Sequence, residues 1–225
     1  MIELKAFSKK YGKTSVLEDI NISLEQGKIT FIMGPNGAGK TTLIKSILGL
    51  EGYEGNVYSR EGVEFQYERE KCFVVWDDCP FYMNLSGLQN LYIYSENRKT
   101  KSEIIACAKR YLEMDLLKRK VKTYSYGQKK KLALVLIEVL NPEIIIMDEI
   151  SNGLDFETMQ ELKKYLVELA EKKTVILTGH QFGFYNDIID VLLVLKDKSL
   201  NVVRENFKSG NEKLEDIYEV EIHAG

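Results

Sequence analysis

Residues 29–33 form an apolar run, and Gly34-Pro35-Asn36-Gly37-Ala38-Gly39-Lys40-Thr41 follows it at once, leading into helical spacing over 42–48. A continuous apolar run marks a strand covered on both faces. A glycine-rich loop that joins such a strand to a helix N-terminus is an anion cradle. Its backbone N–H groups point inward, and the helix dipole adds about half a positive charge at that end. Lys40 is placed to reach the terminal phosphates of a nucleotide, and the Thr41 hydroxyl to complete a magnesium shell. The spacing fits G-x-x-x-x-G-K-[ST]; with glycine near 7% of residues, roughly one chain of this size in a hundred would match by chance. The competing reading is a plain glycine turn before a helix.

The rest of the chain agrees with an α/β sheet around that loop. Residues 2–7 and 20–24 alternate apolar and polar side chains, as half-buried strands do. Residues 144–147 and 175–177 are apolar runs like 29–33, with 191–195 a further strand. Helical spacing over 159–170 lies between the first two of these, so the region reads strand–helix–strand, the signature of a parallel sheet. From about 86 to 140 helical spacing dominates, with Leu88, Leu91 and Tyr92 on one face and Ile104, Ile105, Ala108 and Leu112 on another. That stretch reads as a helical insertion, closed by Pro142, which cannot continue a helix. The tail is expected to end in a short helix near 212–220.

Composition excludes several classes. At 225 residues and a formal net charge of −3, the chain lacks the basic excess of a general nucleic-acid binder. The longest purely apolar stretch, 132–137, has six residues, against the ~18 needed to span a bilayer. Residues 1–5 lack the pattern of a secretory signal. Cys72, Cys79 and Cys107 are odd in number and lack metal-ligand spacing, which reads as reduced structural thiols in the cytoplasm.

Two further segments carry chemistry. Asp148 and Glu149 end the run 144–147 at a strand's carboxyl end, where ligands collect in open α/β sheets. Asp148 is suited to hold magnesium through water, and Glu149 to polarise a water against a γ-phosphate. Two exposed acids in a loop are the alternative. Tyr124-Ser125-Tyr126-Gly127-Gln128 precedes helical residues 129–140. Ser125 and Gln128 form an S-x-x-Q capping box, a sufficient structural reason for both. Yet Lys129, Lys130 and Lys131 crowd the first turn, where the dipole disfavours cations unless an anion binds there.

In this order, these residues resemble the ATPase subunit of ATP-binding cassette (ABC) transporters over nearly the whole chain. Residues 34–41, with Thr42 beside them, are similar to the Walker A loop, and 144–149 to Walker B with its catalytic glutamate. Residues 124–128 resemble the signature motif LSGGQ, so that Ser125, Gly127 and Gln128 would serve a nucleotide held by a second cassette. Asn152-Gly153-Leu154-Asp155 resembles the D-loop, with Asp155 at the same site. His180 resembles the switch histidine that contacts the γ-phosphate, and Tyr11 the aromatic residue that stacks on adenine. The resemblance implies a P-loop NTPase core with a mainly parallel sheet, an antiparallel N-terminal β region and an inserted helical subdomain, all in one domain over 1–225. Its core would span 1–77 and 141–225, and its helical part about 78–140.

Two residues depart from the family pattern. Asp77 stands at the Q-loop glutamine, with Asp78 as the competing match; aspartate can ligate magnesium but is shorter and accepts only. Tyr126 replaces the third signature residue, normally glycine, so its side chain must point away from the phosphate. The resemblance associates this combination with exporters of peptides, antibiotics and lantibiotics. It further implies ATP and Mg2+ as ligands, cassette dimerisation with a like or unlike second ABC subunit, and ATP hydrolysis that drives transport through a separate transmembrane permease. The expected location is then the cytoplasmic face of the membrane. The alternatives are a soluble ATPase of the same family that acts on ribosomes or DNA, and a regulatory module without turnover.

Overall fold

The computed structural model describes residues 1–59, 62–96 and 98–223. The chain opens with a hairpin of β1 (Ile2–Tyr11) and β2 (Thr14–Leu24), both longer than their alternating segments suggest. The wholly buried β3 (Ile29–Met33) follows, then α1 (Lys40–Ile47) and β4 (Glu54–Ser59). Strand β4 returns to pair antiparallel with β1, which completes a three-stranded sheet in the order β2-β1-β4. Nothing in the polar sequence of β4 announces it.

The second sheet has six strands among the described residues. After β5 (Cys72–Val75) come β6 (Ile144–Asp148), β7 (Thr174–Thr178), β8 (Val191–Lys196) and β9 (Ser199–Glu205). Their order is β5-β6-β7-β3-β8-β9, parallel except for the last hairpin. The strand–helix–strand expectation holds: α6 (Phe156–Ala170) crosses from β6 to its parallel neighbour β7. In register, Asp148 pairs with Thr178 and Ile32 with Thr178. The loops that leave β3, β6 and β7 therefore emerge side by side at one edge.

The helices between β5 and β6 are α2 (Gly87–Ser95), α3 (Lys101–Ala108), α4 (Met114–Leu117) and α5 (Tyr126–Leu140). Leu91, Ile104, Ala108, Leu117 and Val121 pack with Leu132, Val135 and Leu136 of α5 in a cluster of their own. The opposite side of α5 sends Ala133, Leu134 and Ile137 into the main core beneath the six-stranded sheet. A helix apolar on all sides is buried on all sides, which accounts for the six-residue apolar stretch at 132–137. Helix α5 is thus the shared wall of two cores. It ends at Asn141, whose left-handed backbone (φ 48°) caps it one residue before Pro142.

The short α7 (Phe182–Tyr185) follows β7, and the tail forms α8 (Leu214–Tyr218) and a π-helical turn at Glu219–His223. Among the described residues no helix is long and apolar enough to cross a membrane.

Candidate active site

The loop after β3 winds into α1 through Gly39, whose φ of 107° is open to glycine and strained for other residues. Gly39 offers no side-chain cap, and the first turn of α1 holds no acid, so the helix end faces outward without an anion of its own. An Ala38 N–H to Pro35 carbonyl bond of 3.2 Å closes the turn. Lys40 folds back, its Nζ donating to the carbonyls of Gly34 (2.6 Å) and Pro35 (3.1 Å). Burial lowers the pKa of this ammonium from the ordinary lysine value, while Glu149 and Asp148 act in the opposite direction.

A cleft of about 430 Å³ opens over this loop. Asn36, Gly37, Gly39, Lys40, Thr41 and Thr42 line one side, with Asp77, Asp148, Glu149 and His180 opposite. The strand register brings these residues together: Asp148 ends β6, Glu149 follows it, and His180 lies two residues past β7. The Thr178 hydroxyl donates to the Asp148 carboxylate and fixes its direction.

Glu149 carries the marks of a working group. Its φ of 54° is a strained conformation for a non-glycine residue, of the kind that costs about 1–3 kcal/mol and gathers at functional sites. Its Oε2 is buried without a hydrogen-bond partner, and Oε1 lies 3.4 Å from His180 Nε2. Burial raises its pKa, and Asp148 adds to the shift; His180 and Lys40 oppose it.

Around the other elements the sequence expectations fare unevenly. Ser125 caps α5 in a full capping box: Gln128 N donates to Ser125 Oγ (3.2 Å), and Ser125 N to Gln128 Oε1 (2.9 Å). The helix therefore starts at Tyr126, three residues before the expected 129. Ser125, Gly127, Gln128, Lys131, Gly153 and Asp155 line a separate opening of about 750 Å³, which shares no described lining residue with the first cleft. Of the three lysines near the start of α5, Lys130 is 1% exposed and points inward. Asp155 caps α6 by accepting from Thr158 N (2.8 Å). Tyr11 is about half exposed and lies outside the lining of the P-loop cleft. Its hydroxyl donates to Glu51, and Lys9 Nζ stands 4.4 Å from its ring centre. Asp77 lines the cleft, and Asp78 is exposed beside it.

Several contributors left no trace in local pattern. Val16 of β2 lines the cleft, on a strand remote in sequence from the loop. Tyr185 lies under the turn that carries His180, its hydroxyl donating to the Thr178 carbonyl (3.0 Å) and 3.1 Å from Ser151 Oγ. A side chain on Gly179 would run into this ring, its Cβ only 2.2 Å from Tyr185 Oη. These contacts are tertiary, and no spacing rule reads them.

Comparison with known proteins decides the family. The family model described as ABC transporter matches residues 17–152, more than half of the chain. The chain belongs to that family. It is 30% identical to the probable ABC transporter ATP-binding protein PEB1C of Campylobacter jejuni, over 93% of this chain and 91% of that protein. It is 27% identical to the lantibiotic transport ATP-binding protein SrtF of Streptococcus pyogenes, over 99% of this chain and 97% of that one. Among solved structures it is similar to the dimeric post-hydrolysis state of the ATP-binding cassette MJ0796 bound to ADP and Pi. That likeness has a TM-score of 0.75 and 27% identity, and covers 93% of this chain and 100% of that one. The mainly parallel sheet, antiparallel N-terminal sheet and inserted helices are the architecture expected of this family.

Proposed function

We propose that this chain binds and hydrolyses ATP to drive transport through a separate transmembrane subunit, with each ATP clasped between two cassettes. One observation carries the clasp: the opening at Ser125 lies apart from the P-loop cleft of the same chain. A capped helix N-terminus beside Lys131 is a built anion site, yet its own P-loop does not share it. A second cassette is the partner that completes both, and the dimeric relative supports this arrangement. The division into a core (1–77 and 141–225) and a helical part (about 78–140) belongs to the same proposal, with α5 as the wall between them.

The roles follow from geometry. The N–H groups at the start of α1 and the ammonium of Lys40 bind the phosphates, with Thr42 at the rim and Tyr11 offered to the base. Glu149 accepts the proton of a water whose oxygen attacks the γ-phosphorus; the bond from that phosphorus to the bridging oxygen breaks, and ADP leaves with the electron pair. His180 holds Glu149 through its Nε2 and faces the γ-phosphate. From the partner, Ser125, Gly127 and Gln128 close on the same phosphates, and Asp155 supports the seam. The donors in the cleft are a hydroxyl and carboxylates, which suit a hard divalent cation. Thr41, Asp148 and Asp77 would hold Mg2+, which when bound neutralises charge on the β- and γ-phosphoryl oxygens.

The names of the relatives support a transport role, and lantibiotic transport supports peptide export, on the cytoplasmic face of a membrane. The test is affinity capture of the tagged chain from detergent-solubilised membranes of its own cells. Recovery of a polytopic membrane protein is expected; recovery with ribosomes instead would overturn the transport reading.

A further inference from the structure

The two departures from the family pattern touch each other. The Tyr126 hydroxyl donates to the Asp77 carboxylate and lies 2.7 Å from the Asp77 carbonyl oxygen, across 49 residues of sequence. Lys130, one turn further along α5, places its Nζ 3.6 Å from Asp77 Oδ1 and 3.3 Å from the Trp76 carbonyl. The same ammonium stands 5.1 Å from the Tyr126 ring centre. The ring also lies against Gly153, where a Cβ would come within 2.5 Å of Tyr126 Cδ1. Gly153 has a φ of 67°, and only glycine leaves room for the tyrosine.

We propose that Tyr126 and Lys130 form a latch on Asp77 that magnesium must open. Tyr126 is then a positioning residue of the nucleotide site in its own chain, although its backbone lies in the half-site offered to the partner. The inference rests on the reading that Asp77 ligates the metal. Oδ1 already accepts from Tyr126 and faces the Lys130 ammonium, so these groups compete with a cation for the same oxygen. A cation held at Asp77 would take the place of the Tyr126 hydroxyl at Oδ1, and the first turn of α5 would be freed from that hydrogen bond. That turn carries Ser125 and Gly127, so occupation of one cleft is felt at the other. A signature glycine could not transmit this, because the connection runs through the tyrosine side chain.

Trp76 is the one tryptophan of the chain and adjoins Asp77, so its fluorescence reads the latch directly. The experiment titrates Mg2+ into protein saturated with a non-hydrolysable ATP analogue and follows Trp76 emission. Wild type is expected to show a magnesium-dependent change. Tyr126→Phe, with an unchanged melting temperature and unchanged analogue affinity in EDTA, is expected to bind Mg2+ about tenfold more tightly, as loss of a competing charge-assisted hydrogen bond allows. Its emission before magnesium should already resemble the magnesium-bound wild type. Unchanged or weaker Mg2+ affinity in Tyr126→Phe would overturn the latch. Asp77→Asn separates the two readings. If it leaves Mg2+ affinity at the wild-type value, Asp77 is not a ligand and both fall; if it weakens Mg2+ binding while Tyr126→Phe does nothing, only the latch falls.

Discussion

Gly179→Ala adds one methyl group directly before His180 and tests whether the ring of Tyr185 sets that turn. The new Cβ would lie 2.2 Å from Tyr185 Oη and 2.6 Å from Cε2 and Cζ, where ordinary contact needs about 3.5 Å or more. The ring has nowhere to go. Tyr185 is 0% exposed, packs 4.5 Å from Phe31 and 4.8 Å from Phe184 between ring centres, and holds the Thr178 carbonyl through its hydroxyl. Overpacking of this kind costs about 1–3 kcal/mol, and a broken Tyr185 hydrogen bond adds about 1 kcal/mol. His180 sits one residue on and 3.4 Å from Glu149, so a shift near 1 Å there should lower turnover roughly 100-fold. Urea unfolding and phosphate release at saturating ATP measure the two effects. Tyr185→Leu in the same chain should relieve the clash, so the double variant should lose less stability than the two single losses added, by about 1 kcal/mol or more. Wild-type stability and turnover in Gly179→Ala, or simple additivity in the double variant, would show that the Tyr185 ring does not set this turn.

Lys40→Ala removes a buried cation that rests on the Gly34 and Pro35 carbonyls beside the cleft and is proposed to bind the phosphates; nucleotide affinity in equilibrium titration should fall about 10- to 100-fold, the worth of a charge-assisted hydrogen bond, with circular dichroism unchanged. Glu149 has a raised pKa in the folded chain, so turnover should fall on the acid side at a pH above the ordinary glutamate value of 4.5, since the base must be ionised. The same shift fixes a sign for stability. A folded carboxyl that holds its proton more tightly than the unfolded one contributes stability at low pH and loses it as pH rises through the folded pKa. Glu149→Gln should therefore melt above wild type at neutral pH, with the gap closing as the medium is acidified.

What local pattern carries, the sequence expressed well. The apolar runs of β3, β6 and β7 and the loop at 34–41 locate the cleft, because parallel strands covered on both faces leave no ambiguity of period. Strand β9 escaped for a physical reason. Its hairpin with β8 turns on Asp197 and Lys198, at φ 48° and 68°, a conformation normally announced by Asn-Gly or Asp-Gly. Strand β4 is an edge strand that opens with three exposed residues, Glu54, Gly55 and Asn56, so it shows little alternation. Local spacing singled out Lys40, Asp148 and Glu149, and the family resemblance singled out His180, all of which line one cleft; Tyr185 and the inward turn of Lys130 had no such signal. In the sequence Lys130 is one of three consecutive lysines, and only the fold shows it turned toward the segment after β5. Tyr126 and Asp77 each read as an isolated departure; only the fold shows that they face one another.

In the proposed dimer ATP is held at 34–41 of one cassette and closed by Ser125 of another. Light scattering of Glu149→Gln during gel filtration addresses this pairing, since loss of the proposed base is expected to stop turnover and leave ATP binding intact. A dimer is expected with ATP and a monomer without it. Adding Ser125→Arg should abolish the dimer and leave the ATP affinity of the monomer unchanged. A monomer at saturating ATP, or a dimer that forms equally well with Ser125→Arg, would contradict it.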